Sequence, residues 1–228
     1  MYEERPSRLT GAVVWTNTPS PGPGTSATQP VLPDGCMDLL WHEGRLLVAG
    51  PDTRAYHPDG PPTPWTGIRF FPGTAPALLG VPAHELRDRR VELTDLWPAA
   101  EVRRLSARIA AAPHPATALE DLALDRAAPP DPTLRRLVTA LAAGRPVATV
   151  ADELDLSGRQ LHRRSLTAFG YGPKTLARIL RLQHALALAR EGVPYADTAA
   201  RSGYADQAHL ARDVKELTGR TLGALLGG

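Results

Sequence analysis

Between residues 10 and 72 apolar and polar positions alternate in short runs. Thr10 to Thr16 is a candidate first strand. The stretch "VLPDGCMDLLWHEGRLLVAGPD" sets one apolar run after a Pro-Asp-Gly turn and a second after Glu-Gly, the pattern of a hairpin with strands at Met37 to Trp41 and Arg45 to Ala49. In "WTGIRFFPG", Trp65, Gly67 and Arg69 alternate with Thr66, Ile68 and Phe70 until Pro72, as in a half-buried strand. After Pro82 the period lengthens. "PAHELRDRRVELTDLW" and "AAEVRRLSARIAAA" read as helical, the second with Val102, Leu105 and Ile109 on one face. The first half is therefore expected to be α+β, a small antiparallel sheet or partial barrel followed by helices.

The second half carries only helical spacing. "TLRRLVTALAA" (133–143) stops at Gly144, and Pro146 opens the next helix. Val147, Val150, Ala151 and Leu154 line one face of that helix, "DLS" makes a turn, and Ser157 can cap the helix after it. Leu161 and Phe169 face inward there, whereas Arg159, Gln160, His162, Arg163 and Arg164 need water or a partner. A long helix, "PKTLARILRLQHALALAR" (173–190), runs from Pro173 to a stop at Gly192 and reaches roughly 25 Å at about 1.5 Å per residue. A second hairpin comes next: Tyr195 to Ser202, a turn at Gly203 and Tyr204, then Asp206 to Thr218 with Leu210, Val214 and Leu217 inward.

The two hairpins look duplicated. Ala151 on Ala199 and Leu156 on Tyr204 need an offset of 48, while Leu161 on Leu210, Arg163 on Arg212 and Gly170 on Gly219 need 49, so one residue is inserted in the second turn. Two helix-turn-helix units on a fixed rod suit DNA, whose successive major grooves on one face lie about 34 Å apart. Gln207, His209 and Arg212 would then occupy the early turns of a second recognition helix, where Arg can bond guanine and Gln adenine.

Punctuation divides the chain. "NTPSPGPGTSATQP" (17–30) is a polar loop, and "AAPHPATALEDLALDRAAPPDP" (111–132) mixes a short helical stretch with breakers. The expected layout is an N-terminal domain over 1–112, a connector over 113–132 and a C-terminal domain over 133–228.

Charge sharpens the division. Residues 1–130 hold 12 Arg against 15 acids, and residues 131–228 hold 14 basic residues against 9 acids, so the half with the duplication is the basic one and suits a polyanion. The single cysteine among 228 residues excludes an internal disulfide and an all-cysteine zinc cluster, which fits a reducing cytoplasm. No run of about 18 apolar residues is present to span a membrane.

With "LSGRQLHRR", "FGYGPKTLARILRLQHAL" and "AARSGYADQAHLARDVKELTGRTL" in order, residues 145–226 resemble the AraC/XylS family of transcription regulators. "VLPDGCMDLLW", "RLLVAGPDT" and "GTAPALLGVPAHELRDRRVELTDLW" are similar to an uncharacterised domain that precedes such regions in actinobacterial proteins. The resemblance implies binding of double-stranded DNA, with base contacts from Arg159, His162, Arg163, Gln207, His209 and Arg212. It implies phosphate contacts from Lys174, Thr175, Arg178, Lys215 and Thr221. Leu210, Val214 and Ser165 stand where the family has aromatic residues, and Leu222 where it usually has Pro, so the cores of both units are smaller.

The N-terminal half offers fewer leads. Trp15, Cys36, Trp41 and Trp65 are candidates for a small-molecule pocket, although a tryptophan or a lone cysteine is more often core. His42, His57 and His84 with Asp34 match no metal spacing. The Val102, Leu105 and Ile109 face is a candidate for homodimerisation, with packing on its own sheet as the alternative. No Gly-x-Ser-x-Gly, P-loop, dinucleotide-binding or His-Glu-x-x-His pattern occurs, and no cofactor is expected. The reading is a sequence-specific transcription regulator, not an enzyme, with a sensing or dimerising N-terminal domain and RNA polymerase as a candidate partner. The alternatives are a non-specific DNA-organising protein, and a Cys36 thiol sensor or enzyme domain with a DNA-binding tail.

Overall fold

The computed structural model describes residues 1–19, 30–59 and 63–227, so most of the 17–30 loop lies outside the described residues. Six strands form one antiparallel sheet: β1 (Tyr2–Pro6), β2 (Ala12–Asn17), β3 (Met37–His42), β4 (Arg45–Ala49), β5 (Trp65–Phe70) and β6 (Arg90–Glu92), in the order β1-β2-β5-β3-β4-β6. Register puts Val14, Ile68, Leu39, Val48 and Val91 side by side across five strands. All five are buried, so this row is the floor of the N-terminal core.

Helices α1 (Ala75–Leu79), α2 (Ala99–Ala110) and α3 (Pro115–Asp125) complete that core. Two expectations change here. The stretch after Pro82 is not a helix: it holds 3-10 turns at Ala83–Glu85 and Leu93–Asp95, with strand β6 between them. Val91 is the reason, since it extends the apolar row while its charged neighbours point away. Helix α3 falls inside the expected connector, yet Leu119, Leu122 and Ala123 are buried in the same cluster as the sheet. Only residues 126–131 are left to connect.

Val102, Leu105 and Ile109 of α2 are also buried in that cluster, which withdraws them as a dimer face. In the middle of α3, Glu120 fastens the N-terminus. Its carboxylate accepts from Arg5, Ser7 and Arg8.

The C-terminal region comprises α4 (Pro132–Ala142), α5 (Val147–Glu153), α6 (Gly158–Phe169), α7 (Pro173–Arg190), α8 (Tyr195–Arg201), α9 (Gln207–Thr218) and α10 (Leu222–Leu226). It has two cores that share α7. Leu176 and Ile179 join the cluster of α4, α5 and α6, and Leu182, Ala185 and Leu186, one to three turns on, join that of α8, α9 and α10. An 18-residue helix therefore serves as the common wall of two small units.

The duplicated helices match in length. α5 and α8 have 7 residues, α6 and α9 have 12, and the linking turns have four residues (154–157) and five (202–206). The ends correspond as well. Ser157 and Gln160 form a capping box at the start of α6, and Asp206 caps the start of α9 by accepting from the His209 N–H at 2.6 Å. Gly170 and Gly219, both left-handed, end the two helices.

Candidate nucleic-acid interface

In α6, Leu161, Ser165, Ala168 and Phe169 are buried. That stripe turns Arg159, His162, Arg163 and Arg164 to the surface, where all four are exposed. Among the described residues no acidic side chain pairs with Arg159, Arg163 or Arg164, so α6 presents three uncompensated guanidinium groups. His162 is less free: a Cβ on Gly172 would come within 2.9 Å of its ring, so the imidazole lies against the turn after α6.

The second unit presents less. Gln207 and Arg212 are exposed, without an internal partner among the described residues. His209 is half-buried; its ring stands edge-on to Tyr204 at 5.1 Å and its Nδ1 accepts from the Ala205 N–H at 3.4 Å. It serves the turn, and so joins the base-facing set less readily than Gln207 or Arg212.

The five candidate phosphate residues divide as well. Lys174 is exposed at the start of α7 and Thr175 beside it is half-buried. Arg178 is occupied: its Nε donates to Asp213 Oδ1 at 2.5 Å and its Nη2 lies 2.7 Å from Glu216 Oε2. Lys215 Nζ donates to the Gly219 carbonyl at 2.5 Å, which completes the end of its own helix, and Thr221 Oγ1 accepts from the Ala224 N–H as the cap of α10. Arg178 thus acts as a strut between α7 and α9, and a phosphate would have to compete with the two acids that face it.

Asp213 is the residue of this region that spacing did not reveal. It is buried, accepts from Arg178 and from the Tyr204 hydroxyl at 2.9 Å, and lies 3.7 Å from Arg181, which itself stacks on the Tyr204 ring at 4.3 Å. This network joins α7 to α9 and to the turn before it. Its only sequence signal is an acid three residues after the inward Leu210, where an apolar residue would be expected.

Residues 150–227 match the family described as a helix-turn-helix domain, and residues 12–92 match a domain of unknown function (DUF6597). The C-terminal region is an AraC-type helix-turn-helix domain. Domains of this kind bind DNA in transcription regulators. Among solved structures, the C-terminal domain of AraT, a response regulator from Geobacillus stearothermophilus, is 21% identical, with 42% of this chain and 85% of that one covered and a TM-score of 0.40. A probable AraC family transcriptional regulator from Rhodopseudomonas palustris is 24% identical over 42% of this chain and 96% of its own, with a TM-score of 0.37. Fatty-acid-bound ToxT from Vibrio cholerae is 12% identical over 99% of this chain and 97% of its own, with a TM-score of 0.46. Among curated proteins none matches the sequence. No helix among the described residues is long and apolar enough to cross a membrane.

The N-terminal candidates do not converge. Strand alternation puts Trp41, opposite Thr66, on the core face, and puts Trp15, opposite Gly67, and Trp65 on the other. Trp15 lies flat on Gly67, where a Cβ would come within 2.4 Å of its ring, and its Nε1 donates to Asp38 Oδ1 at 2.7 Å. Trp65 stacks on His42 at 3.8 Å. A single pocket of Trp15, Cys36, Trp41 and Trp65 is therefore not formed. The Cys36 thiol is pushed well above its ordinary range by burial and by the nearby carboxylates of Asp34 and Asp38. Such a thiol holds its proton and is a poor nucleophile, which speaks against a thiol sensor.

Proposed function

We propose that the protein is a sequence-specific transcription regulator in which α6 and α9 read two adjacent major-groove segments. The observation that carries this reading is the placing of Arg159, Arg163, Gln207 and Arg212. They lie on the early turns of two equivalent helices, exposed and without an internal partner among the described residues. A well-placed Arg on guanine or Gln on adenine contributes about 1–3 kcal/mol of discrimination. Lys174, at the start of α7, is the favoured phosphate contact, with Thr175 beside it.

The N-terminal domain, taken as residues 1–125, supplies the input, either a small molecule or a second copy of the chain. Trp15, beside Tyr2, and Trp65, stacked on His42, are half-buried on the sheet face away from the core and are the aromatic groups that a planar ligand would meet there. A dimer would use a face other than the buried stripe of α2.

The test is selection of fragmented genomic DNA by the purified protein at moderate salt with competitor, followed by sequencing. Enrichment of one motif with two half-segments about a helical turn apart is the expected result. Uniform recovery would instead favour a non-specific DNA-organising protein.

A further inference from the structure

The two N-terminal stretches "AGPDTRAY" (49–56) and "PAHELRDRR" (82–90) have no part in DNA reading, yet they meet the C-terminal region at the ends of both α6 and α9. A recognition helix leaves its last carbonyls without an intrahelical donor. At the end of α6 the Gly170 carbonyl accepts from Arg87 Nη1 at 3.3 Å. At the end of α9 the Leu217 carbonyl accepts from the Ala55 N–H at 2.8 Å. Leu217 lies two residues before Gly219, the counterpart of Gly170, so the acceptors are not equivalent positions, but the N-terminal domain supplies a donor to the C-terminal end of each helix. An arginine at the first of these sites also complements the negative end of the helix dipole.

One continuous segment, residues 50–56, spans both ends. Pro51 packs on Gly170 so closely that a Cβ there would fall 2.6 Å from the proline Cγ, and Ala55, four residues on, holds α9. The segment is itself braced. Asp52 receives two parallel bonds from Arg90, at 2.8 and 2.7 Å, Thr53 N–H and Oγ1 both donate to Asp88, and the Arg90 guanidinium covers the Tyr56 ring at 4.1 Å. Gly50 starts it against the Leu86 carbonyl, 1.7 Å from where a Cβ would sit, so no side chain fits. A strap with this many fixed points resists stretching.

We infer that residues 50–56 are a spacing strap: together with α7 they fix the separation of the two recognition helices, and so the number of base pairs between the half-segments that the protein accepts. α7 joins the two units directly and the strap touches the C-terminal end of α6 and of α9, so a swing of either unit would break a strap contact. The contacts lie at the C-terminal ends of α6 and α9, which leaves Arg159, Arg163, Gln207 and Arg212 on the early turns uncovered. Asp52, Ala55 and Arg90 are then positioning residues for operator spacing. A signal received by the N-terminal domain would reach DNA through the strap. This inference rests on the two-unit reading given above.

The test uses the full-length protein and duplex pools in which the two selected half-segments are separated by spacers of different length. Asp52→Asn removes the charge that holds Arg90 and keeps the shape; Ala55→Pro removes the N–H that holds α9. The parent is expected to prefer one spacing by about tenfold over the next, and each variant to narrow that ratio to about twofold, with the base preferences inside each half-segment unchanged. An unchanged spacing profile in both variants overturns the inference. So does loss of base preference in step with spacing, which would make the strap a folding element only. A parent that enriches no paired motif at all defeats the two-unit reading itself, and the strap's role with it.

Discussion

Arg178 Nε donates to Asp213 Oδ1 at 2.5 Å across 35 residues of sequence, and this pair ties the shared helix α7 to α9. Burial gives the pair its weight. The Asp213 side chain is 6% exposed, so removing Arg178 strands a carboxylate away from water, with only the Tyr204 hydroxyl and the more distant Arg181 to compensate. Arg178→Ala should therefore lower stability by about 2 kcal/mol, a value reduced for the partly exposed guanidinium. If Arg178 is a strut, the slope of log K against log salt stays at the parent value once binding is measured below the melting range. A slope smaller by about one unit would return it to the phosphate contacts.

Lys174→Ala should behave in the opposite way. The side chain is exposed at the head of α7, so melting should not change. Binding to target and to random DNA should fall together, with the salt slope reduced by about one. Titrations at several salt concentrations, run side by side with Arg178→Ala, separate the two roles. Loss on the target alone would assign Lys174 to base reading instead.

Arg163→Ala and Arg212→Ala, at equivalent positions in α6 and α9, should each weaken the selected target by about 1–3 kcal/mol and leave random DNA less affected. Neither should shift the melting temperature, since both side chains are exposed and unpaired among the described residues. The loss should be confined to one half-segment per variant. Equal loss on target and random DNA would remove their base-reading role.

Legibility in the sequence tracked the range of the interactions involved. Helices α5 to α9 announce themselves locally, through apolar spacing, the Pro146 and Pro173 starts, the Ser157 cap and the Gly192 stop, all within a few residues. Strand β6 is three residues in a charged stretch, and only pairing of Val91 with Val48 makes it a strand. Strand β1, with every residue exposed, exists through its ladder to β2. Helix α3 is legible as a short helical stretch among breakers, but its place in the N-terminal core is not, because Leu119 and Leu122 bury only once the sheet is there to receive them. For the DNA-facing residues, spacing told which side chains leave the core. It could not tell that Asp213 and Glu216, 35 and 38 residues away, had already engaged Arg178.

Trp15 and Gly67 give a packing test in the N-terminal domain. The indole lies where a Gly67 Cβ would go, so Gly67→Ala forces the ring off the strand and breaks its bond to Asp38. The expected cost is about 1–3 kcal/mol. Trp15→Leu should cost stability alone, yet make Gly67→Ala nearly neutral when the two are combined. Denaturation midpoints of the four proteins form a cycle, and strictly additive effects would show that the ring and the glycine are independent.

Glu120 sets an acid limit on stability. Burial by itself raises its pKa, but bonds from Arg5, the Arg8 backbone, Ser7 and the Arg8 side chain outweigh burial and hold the carboxyl at about 2. An unfolded glutamate titrates near 4.3, so between about 4.3 and 2 the unfolded chain takes a proton that the folded protein refuses. The stabilisation, up to about 3 kcal/mol, is fully present above that window and lost as pH falls through it. Asp38 runs the other way: burial raises its pKa to about 6, so its contribution is lost as pH climbs toward neutrality, and it does not imitate the effect of Glu120. Glu120→Gln should be less stable than the parent at pH 7, and the difference should shrink steadily between about pH 4.3 and 2. Urea midpoints of both proteins across that range are the measurement, and a difference that stays constant with pH would mean that Glu120 holds the N-terminus by shape and not by charge.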